Sequence, residues 1–293
     1  MTGKIIKAVA GFYYVYCHED GIIYQCRARG IFRKVKFSPL VGDDAVFSIT
    51  DPVDLEGNVD QIRKRRNSLI RPPVANVDQA LIVCALASPD PNLSLIDRFL
   101  ILMKRSGVPS VICFNKKDLV DDSFTEKLAG IYRNCGCQVI TASILNGEGV
   151  DEIRALMKGK TTVLAGPSGV GKSTLTNLLC PGADMEVGEV SRKTERGKQT
   201  TRHAELFAMG EDSFFLDTPG FSSLYLDDML PEEVKDCFPE FTRFEPACKF
   251  QGCMHMSEPV CGVKDALERE EISRARYDSY VQLVQELKDV KRY

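Results

Sequence analysis

One octapeptide limits the fold more than any other feature of this 293-residue chain. It reads Gly166-Pro167-Ser168-Gly169-Val170-Gly171-Lys172-Ser173, which fits G-x-x-x-x-G-K-[ST], and it directly follows the apolar segment 161–165. The glycines let successive backbone N–H groups turn inward around phosphate oxygens, and a helix that begins near Lys172 adds its positive end. We expect Lys172 to bridge two phosphates and the Ser173 hydroxyl to bind Mg²⁺, with Thr174 as the last residue of the nucleotide-binding loop.

A second motif indicates which base is bound. Asn115-Lys116-Lys117-Asp118 follows the predicted strand 110–114, at the edge where open α/β sheets hold their ligands. A carboxylate there accepts two hydrogen bonds from guanine, at N1–H and the exocyclic amine, and adenine lacks this pair of donors, so Asp118 predicts a guanine nucleotide. Asn115 would brace the loops, and the stem of Lys116 would cover the base. Thr141-Ala142-Ser143, after the next predicted strand, is placed to offer a backbone N–H to guanine O6.

Two further segments are suited to the γ-phosphate and the magnesium ion. Asp217-Thr218-Pro219-Gly220 follows the apolar strand 213–216, so Asp217 would hold Mg²⁺ through water and the Gly220 N–H would sense the γ-phosphate. The polar segment 191–202 contains Thr200 and Thr201, either of which could supply a hydroxyl to Mg²⁺. We expect this segment to order around the triphosphate and to relax after hydrolysis.

The rest of the chain predicts an α/β fold with three domains. Residues 1–71 alternate apolar and polar side chains in about five short segments, which indicates a small barrel, OB-like or SH3-like. Residues 72–224 alternate strands with helices, which predicts a mostly parallel sheet with helices on both faces. Residues 225–293 carry a cysteine-rich stretch and then a helical tail over 272–290.

The cysteine-rich stretch has the spacing of a metal site, Cys248-x4-Cys253-x-His255-x5-Cys261. Three thiolates and one imidazole suit tetrahedral Zn²⁺, and four protein ligands are typical of a structural site rather than a catalytic one. The eleven cysteines are an odd number without the density of a disulfide scaffold, so we expect a reducing compartment. Cys237 lies nearby but outside the spacing.

Charge is distributed unevenly along the chain. The first 72 residues hold twelve Lys and Arg against eight Asp and Glu, a net charge of +4, which leaves −7 for the remainder. A basic N-terminal domain suits a polyanion, and five positive charges between Arg63 and Arg71 could neutralise RNA phosphates. Four aromatic residues could stack on bases, although core packing is the better expectation for most of them: Phe12, Tyr13, Tyr14 and Phe32. No secretory signal or membrane-length apolar run is evident, so we expect a cytoplasmic protein.

The order of the motifs departs from that of Ras-like GTPases, in which the phosphate loop precedes Asn-Lys-x-Asp. Here residues 115–118 precede residues 166–173, as in a circularly permuted GTPase domain. With the Cys-x4-Cys-x-His-x5-Cys spacing, the whole chain resembles the RsgA (YjeQ) family of small ribosomal subunit biogenesis GTPases. The resemblance implies an N-terminal OB domain, a C-terminal zinc domain, and GTP hydrolysis to GDP and phosphate that the small subunit stimulates during late maturation. It also implies contact with ribosomal RNA, and we expect a monomer that binds one structural zinc ion.

Two positions bear on catalysis. Phe221 follows Gly220 where many GTPases carry a water-orienting glutamine, and an apolar ring cannot orient water. The family usually has histidine before the Thr200-Thr201 pair, and this chain has Gln199, which can also orient a water molecule. We therefore expect slow intrinsic hydrolysis, with the site completed on RNA.

Two other kinds of function stay open at this point. One is a nucleotide-gated RNA-binding module in which hydrolysis is incidental. The other is a metabolic enzyme with a phosphate loop, such as an ATP-dependent kinase, against which Asp118 argues.

Overall fold

The computed structural model describes residues 1–30, 32, 37–70, 72–181, 204–217, 226 and 228–289. Contacts divide the chain into two compact units. The first consists of Met1–Ala80, Val150–Ser168 and Lys172–Pro219, and the second of Leu81–Gly149, Gly169–Gly171 and Gly220–Tyr293. The domain boundaries expected near residues 71 and 224 stay a prediction. Thr200, Thr201, Gln199 and Gly220 lie outside the described residues.

The first unit begins with a closed barrel. Its five strands are β1 (Thr2–Val9), β2 (Phe12–Cys17), β3 (Ile23–Ala28), β4 (Asp44–Asp51) and β5 (Glu56–Ile62). They pair in the order β1-β2-β3-β5-β4 and close through β4 and β1, with β3 and β5 parallel and the other four barrel pairs antiparallel. Alternate side chains point inward, so Val15, Cys26 and Phe47 are buried in the core. The expectation of an N-terminal OB-like barrel is confirmed.

The turn before β4 depends on a glycine. Gly42 has φ +89°, and a Cβ there would lie 2.1 Å from the carbonyl oxygen of Ala75. Ala75 belongs to the short pair β6 (Ser68–Leu69) and β7 (Val74–Ala75). Only a residue without a side chain allows this approach, so the turn at Gly42 brings the barrel against the segment that follows it in the chain.

Part of the basic run is already paired. Arg65 donates to the fully buried Asp43 from Nε to Oδ1 at 2.6 Å and from Nη2 to Oδ2 at 2.8 Å. Arg66 forms an ion pair with Asp78. Arg63 and Lys64 are exposed, and Arg71 lies outside the described residues. Two of the five predicted phosphate-neutralising charges are thus engaged within the protein.

Of the aromatic side chains proposed for stacking, Phe32 is buried in the barrel core and Tyr13 packs against that core. Phe12 is partly exposed and lies under the Arg27 guanidinium, 4.9 Å from ring centroid to Cζ.

The first unit also contains strands and helices that follow the barrel in the chain: α3 (Val150–Met157), β11 (Thr161–Ala165), α4 (Lys172–Leu179), β12 (Leu206–Gly210) and β13 (Ser213–Asp217). Strands β11 and β13 are parallel, and β12 pairs with β13 in the antiparallel sense. The sequence pattern did not predict β12, whose side chains are mostly half-buried and so give no clear apolar run.

The second unit contains the remaining elements: β8 (Gln79–Ala85, from Leu81), α1 (Leu93–Arg105), β9 (Ser110–Asn115), α2 (Asp122–Ile131), β10 (Gln138–Thr141), α5 (Pro239–Thr242), α6 (Gly262–Glu268) and α7 (Arg274–Asp289). Strands β9 and β10 are parallel. Every residue of β8 is buried, which explains its continuous apolar run. The strand order within this unit is β10-β9-β8, and the order within the first unit is β11-β13-β12; the parallel pairs β9-β10 and β11-β13 are those expected of the α/β fold.

The C-terminal part of the second unit has its own core. Phe238, Phe241, Tyr280 and Leu283 are fully buried there, and Ile101 of α1 belongs to the same cluster. The long helix α7 corresponds to the predicted helical tail. Among the described residues, no helix has the length and apolarity needed to cross a membrane.

Candidate functional site

The glycine-rich loop connects β11 to α4. Gly166, Gly169 and Gly171 have φ values of +138°, +79° and +104°, conformations that side chains disfavour. Lys172 is buried, and its Nζ donates to the carbonyl oxygens of Gly166 at 2.8 Å and Pro167 at 2.7 Å. The lysine ammonium is therefore held by its own loop, beside the N-terminus of the helix that begins at Lys172.

Asn115 joins this loop to two others. Its Nδ2 donates to the Val170 carbonyl oxygen at 2.8 Å, and its Oδ1 accepts from the Ile144 N–H at 2.9 Å. A Cβ on Gly171 would lie 2.4 Å from the same Nδ2, so glycine is needed there for a second reason. Asn115 is 3% exposed, and a buried amide with both ends bonded fixes the positions of the segments it joins.

Asp118 lies in the short 3₁₀ turn Lys117–Leu119, after the left-handed residue Lys116 at φ 65°. The Ser143 hydroxyl donates to Asp118 Oδ1. The parallel pairing of β9 and β10 explains this contact, because it brings the carboxyl ends of both strands to one edge.

Two of the expected backbone donors in residues 141–143 already have acceptors within the protein. The Ala142 N–H donates to Phe114 O at 2.8 Å, and the Ser143 N–H donates to Glu148 O at 3.1 Å. What this segment offers Asp118 is therefore the Ser143 hydroxyl, which the sequence analysis did not anticipate. The assignment of a guanine O6 donor to residues 141–143 stays a prediction.

Asp118 also lines an open cleft of about 740 Å³. Ala87, Leu119 and Phe124 supply apolar surface to the same cleft, and Asp90 adds a second carboxylate. Lys116 donates to the carbonyl oxygen of Ser88, and Lys117 pairs with Glu148, which raises the pKa of Lys117.

Asp217 is the last residue of β13. The register of β11 against β13 pairs it with Leu164, two residues before Gly166. The backbone of Asp217 therefore lies beside the end of β11, just before the glycine-rich loop begins. Its side chain lies outside the described part of the chain, as do residues 218–225.

The cysteine-rich motif forms a compact cluster. The ligand atoms of Cys248, Cys253, His255 and Cys261 all lie within 4.8 Å of one another. His255 Nδ1 lies 3.6 Å from Cys248 Sγ and 3.4 Å from Cys261 Sγ. Ligands of tetrahedral Zn²⁺ lie roughly 3.3–3.8 Å apart, given bond lengths of about 2.0–2.3 Å. The donor set and its spacing fit a zinc ion.

The other ring nitrogen of His255 faces a carboxylate. Nε2 lies 3.3 Å from Glu245 Oε1, an arrangement that orients a metal-binding imidazole. Burial lowers the pKa of His255, which keeps the ring neutral as a ligand must be. Burial raises the pKa of Cys253 to about 12, and a bound cation would reverse that by favouring the thiolate.

Helix α7 holds the ligand loop in place. The Tyr277 hydroxyl donates to His255 O, and the Tyr280 hydroxyl donates to Met254 O, both at 2.6 Å. His255 has φ 55°, a left-handed conformation that these bonds help to maintain. Two tyrosines of the C-terminal core therefore hold the backbone of the ligand loop by hydrogen bonds.

Sequence reasoning missed two residues that support these sites: Glu148, which pairs with Lys117 and accepts from the Ser143 N–H, and Glu245, which lies beside His255. It named Ser143 but did not anticipate the contact of its hydroxyl with Asp118. Single serines and glutamates are common in any chain, so no local pattern marks them. Only their distances identify them.

Known proteins similar to this chain share its full length. The family model described as RsgA GTPase matches residues 62–227, and the one described as RsgA N-terminal domain matches residues 2–54. The chain is 48% identical to "Small ribosomal subunit biogenesis GTPase RsgA" of Agathobacter rectalis over 302 residues, covering 100% of both chains. It is 46% identical to the protein of the same name from Alkaliphilus metalliredigens, over 99% of both chains.

Two solved structures are similar throughout. YloQ, described as a circularly permuted GTPase, superposes with a TM-score of 0.81 at 41% identity, covering 100% of this chain and 96% of the other. YjeQ from Thermotoga maritima superposes with a TM-score of 0.85 at 33% identity, covering 99% of each.

Proposed function

The chain belongs to the RsgA GTPase family, a family of GTP hydrolases, and from that premise we propose that it hydrolyses GTP on the small ribosomal subunit during late maturation. The observation that carries this proposal is the pair of hydrogen bonds formed by the Asn115 side chain. Its Nδ2 donates to the Val170 carbonyl oxygen, and its Oδ1 accepts from the Ile144 N–H. It ties the glycine-rich loop to the loops that would surround guanine, so one nucleotide can contact both.

The roles of the residues follow from that arrangement. The N–H groups of residues 166–173 would surround the phosphates, and Lys172 would move from its loop carbonyls to the β- and γ-phosphates. Asp118 would accept from guanine N1–H and the exocyclic amine, with its carboxylate oriented by the Ser143 hydroxyl. The stem of Lys116 would lie over the base.

Family membership implies Mg²⁺, for which Ser173 and Asp217 are the proposed ligands, with one of Thr200 and Thr201. When bound, the ion would supply positive charge to offset the negative charge of the phosphates. Water attacks the γ-phosphate in line with that oxygen, and Gln199 is the proposed group that orients the water. The Cys248, Cys253, His255 and Cys261 set would hold one zinc ion with a structural role.

Ribosomal RNA contact is proposed for the barrel. Arg63 and Lys64 are exposed beside it, and exposed cations neutralise phosphates without reading sequence. We propose that the subunit completes the catalytic site and that the protein acts as a monomer in the cytoplasm.

The test is GTP hydrolysis with and without purified small ribosomal subunits. We expect subunits to raise turnover of the wild type and to leave Ser173→Ala slower by on the order of 100-fold, because that variant lacks a magnesium ligand. Ser123→Ala is a matched control, since this exposed hydroxyl bonds only within the N-terminal turn of α2, to Asp121.

A hydrolysis rate that subunits leave unchanged would contradict the proposal. If a non-hydrolysable GTP analogue allowed normal release from subunits, the protein would instead be a nucleotide-gated RNA-binding module.

A further inference from the structure

Two thiols outside the metal cluster touch each other. Cys135 and Cys137 lie in the connection between α2 and β10, and their Sγ atoms are 2.9 Å apart. Cys135 is buried at 7% exposure, whereas Cys137 is partly exposed. The pair therefore has one accessible sulfur and one protected sulfur in direct contact.

The residue between them makes this geometry possible. Gly136 has φ +78°, and a Cβ there would lie 3.2 Å from Pro239 Cγ. The left-handed conformation of Gly136 turns the chain so that the side chains of Cys135 and Cys137 meet. A side chain at this position would be strained and would crowd Pro239. The Cys135 N–H donates to Tyr132 O at 3.1 Å, which fixes the first cysteine on a buried aromatic residue.

The surroundings favour a thiolate on the protected sulfur. The Cys137 thiol donates to Cys135 and lowers the pKa of Cys135; the Cys137 N–H and the Arg276 guanidinium act in the same direction, against the effect of burial. The same hydrogen bond and burial raise the pKa of Cys137. A thiolate next to an accessible thiol is the arrangement in which exchange with disulfides occurs.

We propose that Cys135 and Cys137 form a reversible redox site whose oxidant is a low-molecular-weight disulfide of the glutathione class. The partly exposed Cys137 sulfur attacks the disulfide while its proton passes to the adjacent Cys135 thiolate, one glutathione leaves as a thiolate, and a mixed disulfide forms on Cys137. The Cys135 sulfur, now a thiol, then attacks Cys137 Sγ, the second glutathione leaves with the proton of Cys135, and an internal disulfide remains. One thiol and one thiolate are oxidised and one glutathione disulfide is reduced to one glutathione thiol and one glutathione thiolate, so atoms, charge and electrons balance.

This site is separate from the nucleotide and zinc residues in the sequence. It precedes β10, whose carboxyl end continues into Thr141–Ser143, so the oxidised pair would sit at the opposite end of the strand from Ser143. The proposal does not depend on the nucleotide that the protein binds, and a failure of either proposal leaves the other intact.

The sequence offers a direct test. Trypsin cleaves after Arg133 and Arg154, and the peptide 134–154 contains Cys135 and Cys137 as its sole cysteines. The full-length, zinc-loaded protein is equilibrated with glutathione disulfide, and its remaining free thiols are alkylated with iodoacetamide. The protein is then digested with trypsin, and the peptide masses are measured by mass spectrometry. We expect the peptide to lose two hydrogen atoms and to carry no alkyl group, and to carry two alkyl groups after prior reduction with dithiothreitol.

Two comparisons identify the exchange chemistry. In Cys135→Ser we expect glutathione to remain on Cys137, because the resolving sulfur is gone. The peptide 173–192 has Cys180, which is partly exposed, as its one cysteine. It serves as an internal control because a peptide with a single cysteine cannot form an internal disulfide. The proposal is overturned if the wild-type peptide keeps two alkylatable thiols, or if it retains bound glutathione as stably as Cys135→Ser does.

Discussion

The side-chain Nδ2 of Asn115 lies 2.8 Å from the carbonyl oxygen of Val170, although 55 positions separate the two residues. The guanine-reading motif and the glycine-rich loop are therefore adjacent despite their reversed order along the chain. Because Gly171 lacks a Cβ, the asparagine amide can approach this closely. In this chain the reversed order of the motifs is thus compatible with a direct contact between them.

Asn115→Ala should weaken nucleotide binding and stability together. It leaves the Val170 carbonyl and the Ile144 N–H without their buried partner, which costs about 1–3 kcal/mol in the free energy of unfolding. Urea unfolding and titration with fluorescent GDP would measure both effects. Asn146→Ala, at an exposed position of the following turn, is the control and should change neither. Unchanged GDP affinity in Asn115→Ala would contradict the proposed bracing role.

Asp118→Asn should change which base is bound. The amide keeps one acceptor but presents a donor where guanine also donates, so GTP affinity should fall by on the order of 100-fold and xanthosine nucleotides should gain. Competition between nucleotides for the wild type and the variant would measure this. If ATP competed as well as GTP for the wild type, the assignment of Asp118 would be wrong.

Loss of zinc should destabilise the C-terminal core. Cys261→Ser removes one ligand of the cluster, so we expect metal content to fall from about one zinc per chain to well below one and the melting temperature to drop. Elemental analysis and thermal unfolding would measure the two quantities. Cys237→Ala is the matched control, because Cys237 is buried in the same core outside the cluster and should leave zinc content unchanged.

Arg276→Met should be strongly destabilising. Arg276 Nε donates to Glu240 Oε1 at 2.7 Å, and Nη1 donates to Asp97, with all three residues buried. Removing the guanidinium leaves two buried carboxylates, at a cost of about 3–5 kcal/mol by urea unfolding. Arg274→Met, at an exposed position of the same helix, should cost far less.

The same variant should show a distinct pH dependence. Burial raises the pKa of Asp97, and Arg276 opposes that effect, so its removal raises the pKa further. A folded-state pKa above the unfolded value makes the protein more stable at low pH and less stable as pH rises through it. We expect the loss of stability in Arg276→Met to be smaller near pH 5 than near pH 8. A loss that is independent of pH would mean that the carboxylates are not left charged.

Glu19→Gln should show the opposite pH dependence in the barrel. Hydrogen bonds from the Cys17 thiol and the Thr2 N–H hold the pKa of Glu19 at about 2, below its ordinary 4.5. A lowered folded-state pKa stabilises the protein above pH 4.5, and the contribution is lost as pH falls toward 2. The melting temperature of the wild type should therefore exceed that of Glu19→Gln near pH 6, and the difference should shrink below pH 4.5 and disappear only near pH 2. Glu56→Gln, at an exposed position of β5, is the control.

Local patterns predicted a large part of the fold. Thr161–Ala165 has the bounds of the segment that the sequence places before the glycine-rich loop, because a strand that is buried at every position stands out as one continuous run of residues. Strand β12 was missed, since an edge strand with half-buried side chains carries no such period. The barrel was predicted, but its order was not, because pairing joins strands that are distant in the chain.

The sequence by itself determined the chemistry: a glycine-rich loop for phosphates, a carboxylate for guanine, and three thiols with an imidazole for a metal ion. Each depends on neighbouring residues, so its spacing can be read directly. Only the tertiary structure decided the partners of those groups, such as Ser143 for Asp118 and Glu245 for His255. It also decided buried pairs that no motif marks, such as Arg276 with Asp97, which lie 179 positions apart. Such pairs arise when distant segments pack together, and the packing of the whole chain, rather than any local preference, brings their atoms within bonding distance.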